Sequence, residues 1–140
     1  MTDFDRAVFF TVHGLPHLRA ALAAGAETGR PVVALSAVAA SAYAGALWFA
    51  EMARVGVGEF PGVKLTTVLD CGDRAGDVLT AFDTGIKCVI FSGHADATRR
   101  LKAIAAAHRA TLLTERPASF DLLNLDDPTF AARRHCAAPP

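Results

Sequence analysis

Asp70-Cys71-Gly72-Asp73 sets two carboxylates, a thiol and a glycine directly behind the apolar run 65–69. A strand that stops in a polar turn and then opens a helix is where α/β proteins usually hold ligands. Two more stretches share this build: His13-Gly14-Leu15-Pro16-His17 follows the run 7–12, and Ser92-Gly93-His94 follows 88–91. A carboxylate at the end of an apolar strand must be paired or partly solvated. Asp70 is the best catalytic candidate on that ground, as a general base, metal ligand or phosphoacceptor. The alternative is that it accepts N–H bonds within its own turn, as Asp often does. No reaction is named by these residues, and the catalytic residues stay unknown.

Gly72 and Gly93 allow a backbone to approach a ligand closely, and the helix N-termini behind them offer N–H groups to an anion. The expectation is a small anionic, phosphorylated ligand bound at the C-terminal edge of the sheet. Its contacts would be His13, Asp70, Gly72, Asp73, Ser92, Gly93 and His94. Neither glycine loop matches a Walker loop or GxGxxG. Asp73 is expected to cap the following helix, and its charge opposes an anion there, while Arg74 offsets it. His13, Asp70 and His94 are the right types for a three-ligand metal site. No HxH or HExxH spacing accompanies them, so no metal is expected and no cofactor is specified. The helix dipole favours a Cys71 thiolate, whereas Asp70 and Asp73 disfavour it.

The elements that must position these residues follow from the apolar periodicity. Buried strands are expected over 7–12, 32–36, 65–69, 88–91 and 111–113, each a continuous run rich in β-branched residues. Helices alternate with them. Pro16 suits a first helical turn, and Gly29 and Gly85 supply left-handed stops. Asp96 is expected to cap the helix after strand four. Residues 117–125 read as coil or a turn of helix. Residues 126–140 read as a short helix opened by Pro128 and a frayed tail, 137–140. Such a chain is α/β, one domain over 1–140, a three-layer sandwich around a five-stranded parallel sheet. The flavodoxin-like order 2-1-3-4-5 is expected, with a half-barrel that pairs with a second copy as the alternative. In the first order the switch point falls between strands one and three, which draws the turns at His13 and Asp70 together.

One helix is unusual. From Ser41, its expected N-cap, to Arg54, the side chains of Tyr43, Leu47, Trp48, Phe49 and Met52 point in several directions. A helix apolar all round is buried on more than one side. Either a second copy covers it, making a homodimer, or the glycine-rich segment 56–62 folds over it.

The 140 residues are 52% hydrophobic and 20% charged, enough to bury a core. Fourteen basic residues balance fourteen acidic ones, which argues against general attraction to nucleic acid or anionic membrane and leaves only a local basic patch open. The clustered Arg99, Arg100 and Lys102 read as a solvated helix face. Pro31 to Ala50 carries no charge, but its Ala, Ser and Gly content fits a buried strand and helix better than a membrane span. Three scattered cysteines without a CxxC read as reduced thiols, and the acidic start 1–6 lacks the regions of a signal peptide, which together point to the cytoplasm.

The stretch Val89-Ile-Phe-Ser92-Gly93-His94-Ala-Asp96, continuing to Ile104, resembles the fourth strand and helix of receiver domains of two-component signalling. The resemblance implies that Ser92 and Asp70 occupy the positions of the strand-ending hydroxyl and the phosphoacceptor. It covers about a quarter of the chain. Receivers place acidic residues after the first strand, where His13-Gly14 stands here. They place a lysine after the fifth, where Thr114-Glu115-Arg116-Pro117 stands. A phosphorylatable receiver is therefore not expected. The alternative function is a non-catalytic, dimeric interaction or signalling domain of degenerate receiver type, assembled through the helix from Ser41 to Arg54.

Overall fold

The computed structural model describes residues 5–138. Strands β1 (Val8–Thr11), β2 (Val32–Leu35), β3 (Leu65–Asp70), β4 (Cys88–Ile90) and β5 (Thr111–Leu113) alternate with helices α1 (Leu15–Thr28), α2 (Ala46–Glu59), α3 (Ala75–Thr84) and α4 (Ala95–Ala107). A short β6 (Phe120–Asp121) and α5 (Pro128–Ala137) follow. The fold is α/β, a parallel sheet flanked by helices, as the alternating apolar runs require. Among the described residues no helix is long and apolar enough to cross a membrane.

The strand order corrects the flavodoxin-like expectation. It runs β5-β4-β3-β2-β1-β6, so β2 stands between β1 and β3 and the direction of winding does not reverse there. Either order is built from the same right-handed βαβ units. The apolar runs of the strands are alike in both, so composition cannot tell them apart. Without the reversal, no switch point falls between β1 and β3.

The sixth strand is the other addition. Phe120 and Asp121 pair in parallel with Phe10 and Thr11, in a segment expected to be coil or a turn of helix. Two residues are too few to show a period.

The contacts divide the chain into two compact units. Unit 1 comprises Met1–Leu35, Met52–Thr66 and Ala118–Pro140, and unit 2 comprises Ser36–Glu51 and Thr67–Pro117. In unit 1, α1 packs on α5, and Phe10, Leu18, Leu22, Val32, Leu35 and Leu122 are fully buried. In unit 2 the core is Val68, Leu69, Val78, Ala81, Val89 and Phe91. Each such Val, Leu or Phe side chain contributes about 1.5–3 kcal/mol through removal from water.

Helix α2 also differs from expectation. Ala40–Ala42 form a separate 3-10 turn, and Ser41 donates its hydroxyl to Asp77 Oδ2 at 2.8 Å instead of capping α2. At the other end the helix runs on through Gly56 to Glu59, so residues 56–59 of the expected irregular segment continue the helix instead of folding back over it. Gly56 is buried within unit 1, where an added Cβ would lie 2.8 Å from Leu18 and 2.9 Å from Leu22. That close approach to α1 outweighs the roughly 1 kcal/mol by which glycine disfavours a helix interior. Phe49 and Met52 are buried, whereas Tyr43 and Leu47 stay 73% and 71% exposed. Of the tail expected to fray, Ala137 ends α5 and Ala138 is its C-cap, while Pro139 and Pro140 lie outside the described residues, as do Met1–Phe4 at the N-terminus.

Candidate functional site

In unit 2 the C-terminal ends of β3 and β4 carry two turns that are tied together. The Ser92 N–H donates to the Gly72 carbonyl at 2.8 Å. Gly72 has φ +54°, a left-handed conformation that disfavours side chains, and an added Cβ would lie 3.1 Å from Ala39 Cβ. Gly93 is required for a different reason. The Phe91 ring lies over it, so that a Cβ there would come within 2.4 Å of the ring.

Asp70 closes this edge. Its side chain is only 5% exposed. Oδ1 accepts the Gly72 N–H at 2.9 Å, and Oδ2 accepts from the Arg116 guanidinium at 2.9 Å. Arg116 also donates to the Ser36 carbonyl at 2.7 Å, and the Asp70 N–H donates to Ser36 Oγ at 2.9 Å. Both carboxylate oxygens are engaged, one within the turn and one by a cation. To act as a base or ligand, Asp70 would have to release one of them. Arg116 is the more accessible partner, 23% exposed.

The neighbouring groups are arranged differently from the sequence expectations. The N-cap of α3 is Arg74, not Asp73, and its side chain makes no cap bond. Arg74 instead pairs with Asp77 at 2.6 Å. Burial opposes the charge of Asp77, but Arg74 and Ser41 outweigh it and hold this carboxyl below its usual range. The N-cap of α4 is His94, whose Nδ1 accepts the Asp96 N–H at 3.2 Å, so Asp96 sits in the first turn and is not the cap. Asp73, Ser92 and His94 are exposed. Cys71 is wholly buried, and burial chiefly, with Asp77 and Asp70, pushes its thiol up to about 11 against the opposing Ser41 bond. A thiol so placed is not a nucleophile at neutral pH.

His13 belongs to unit 1 and has other partners. Its Nε2 meets Asp121 Oδ1 at 2.8 Å, with the imidazole 23% and the carboxylate 53% exposed. The His13 N–H donates to His17 Nδ1 at 3.1 Å, and the two rings meet edge to face. Burial, then His13, lowers the pKa of His17 against the pull of Asp121. Burial works against the charge of Asp121, but the Leu123 N–H, His13 and His17 together hold its carboxyl below the usual range. Beside them, Thr11 Oγ1 and Ser119 Oγ share a hydrogen bond of 2.6 Å.

Asp70, Gly72, Asp73, Ser92, Gly93 and His94 thus belong to one unit and His13 to the other. Ser36, Arg116, His17, Ser119 and Asp121 were not singled out in the sequence. Arg116 had a signal, since a charged residue closely following a strand reaches the same edge of the sheet as Asp70. Asp121 had none, because its strand was not legible. Among the described residues no group of three or more His, Cys, Asp or Glu side chains could hold a metal. No protein-family model matches the chain, and no curated protein matches it in sequence.

Proposed function

We propose that the protein binds a small anionic, phosphorylated ligand at the C-terminal edge of unit 2, across the β3–α3 and β4–α4 turns. The observation that carries this reading is Arg116, a guanidinium held in place by Asp70 and the Ser36 carbonyl at the edge where those turns are linked. The positive ends of α3 and α4 start from the same turns, and α3 has no side-chain cap. The Gly72 and Ser92 N–H groups are already engaged, so the exposed Ser92 hydroxyl and the Gly93 backbone are the groups on which a phosphate could rest. Asp70 offsets much of the Arg116 charge, and each helix end adds only about 0.3–1 kcal/mol. The expected affinity is therefore modest, near 1 mM, about −4 kcal/mol. The free, buried cysteines support a reducing, cytoplasmic setting.

Calorimetry with inorganic phosphate and a panel of phosphorylated metabolites tests the reading. Ser92→Asp adds a negative charge at an exposed position and should weaken any hit at least tenfold. Equal binding by this variant, or no hit on the parent chain, overturns the proposal.

A second reading, a non-catalytic homodimer, draws on the exposed Val38, Tyr43, Leu47 and Trp48 of unit 2. They lie within eleven positions of one another along the chain, and a contiguous exposed apolar patch often marks an interface. Sedimentation of the parent and of Leu47→Glu decides it: a dimer that the glutamate dissociates supports the reading, and a parent that is already monomeric sinks it.

A further inference from the structure

We infer that unit 1 carries a separate binding site, a cavity of about 420 Å3 that takes a small monocarboxylate with a flat apolar body. Its walls include Val8, Phe9, Arg30, Ser119, Phe120 and His135. The volume lies in the range of about 300–1,000 Å3 found for small-molecule sites, and apolar walls with a few converging polar groups are their usual build.

Arg30 sets the charge of the ligand. Its Nε donates to the Arg6 carbonyl at 2.9 Å and its Nη1 to the Cys136 carbonyl at 2.8 Å. Both acceptors are main-chain oxygens. They fix the guanidinium, and Cys136 O at the end of α5 offers partial negative charge, but neither supplies a full anion. Among the described residues these bonds do not use Nη2, which is left to donate to a ligand, and a carboxylate suits the planar geometry of the guanidinium. The other walls explain the apolar body. The His135 ring stacks on Phe120 with centroids 4.5 Å apart and 12° between planes, and it meets Phe10 edge-on at 5.6 Å. Burial and then Arg30 lower the pKa of His135, so the site disfavours a second positive charge on this ring. One fixed cation among aromatic walls matches one negative charge on a flat ligand, whereas a phosphate dianion would ask for more donors.

Benzoate is a direct probe, with benzyl alcohol as its neutral counterpart and inorganic phosphate as the competing anion, all followed by protein NMR shifts. Benzoate should move the unit 1 resonances, and benzyl alcohol and phosphate should each bind at least tenfold more weakly. Arg30→Gln should reduce benzoate to the level of benzyl alcohol. Because Arg30 also holds the end of α5, the exposed Ala118→Trp serves as a second variant; it fills the cavity mouth without touching either Arg30 bond and should block benzoate outright. Ser92→Asp in unit 2 should leave benzoate binding unchanged, which separates this site from the one proposed above. Absence of benzoate binding by the parent, equal binding of the alcohol or of phosphate, or binding unaffected by Ala118→Trp overturns the inference.

Discussion

Asp70 and Asp121 both stand at the C-terminal ends of strands, one in each unit, and they are held in opposite ways. Asp70 is buried, and its two oxygens are taken by a backbone N–H and a guanidinium. Asp121 is half in solvent, faces an imidazole and accepts the N–H of Leu123 in its own turn. A guanidinium keeps its charge at every working pH, so the Asp70–Arg116 pair is a fixed strut. The Asp121–His13 contact is a single bond at a carboxylate 53% exposed, so water can replace either partner and the pair is loosely held. Burial decides which of them matters for stability. Removing one partner of a buried pair leaves an uncompensated charge, whereas an exposed pair loses little because water replaces the partner.

Arg116→Ala tests the strut and should have the largest effect. It strands the Asp70 carboxylate and should cost about 3–5 kcal/mol, read as a fall in the urea midpoint. A loss below about 1 kcal/mol, the range of exposed pairs, would put Asp70 in the same class as Asp121. The glycines of the two edges extend the contrast. Gly93→Ala must displace the buried Phe91 ring and should cost about 1–3 kcal/mol. Gly14→Ala, whose Cβ would meet only Pro16 Cδ at an ordinary 3.7 Å, should stay within about 0.5 kcal/mol. Equal effects at the two glycines would show that the unit 2 edge is no stiffer than that of unit 1.

His13→Ala should cost less than about 1 kcal/mol and show itself in the pH dependence instead. The folded-state pKa of Asp121 is depressed, so its contribution to stability is present above the unfolded value, about 3.9, and fades as pH falls through the folded value. The variant should raise the Asp121 titration midpoint followed by carboxyl NMR, and an unmoved midpoint would show that the Leu123 N–H and His17 hold the carboxylate without His13. The smallest signal is expected from the cysteines. Cys71 and Cys88, both pushed up to about 11 by burial, should label negligibly with a thiol reagent at pH 8 until denaturant is added. Rapid native labelling of either would mean that its core opens.

Much of the element list could be read from the chain. The five main strands, the proline-opened α1 and the left-handed stops at Gly29 and Gly85 arise from side-chain patterning and local backbone sterics, which a sequence displays directly. The turn at Asp70 was also legible as a place of strain and polarity, and one of its alternatives, acceptance of an N–H within the turn, is what Oδ1 does. Caps were less legible. Asp73, Asp96 and Ser41 all have capping side chains, yet Arg74 and His94 take the cap positions of α3 and α4, and Ser41 turns to Asp77. Several residues near a helix start can serve, and a shift of one residue in where the strand ends selects among them.

The sequence by itself determined the alternation of strands and helices, because burial period and turn sterics act over a few neighbouring residues. The tertiary structure alone decided that β2 separates β1 from β3, that β6 joins β1, and that Arg116, 46 positions along the chain, closes on Asp70. Those outcomes depend on which edge each crossover packs against and on pairing across long loops. The strands are equally apolar in every order, so nothing local distinguishes the alternatives.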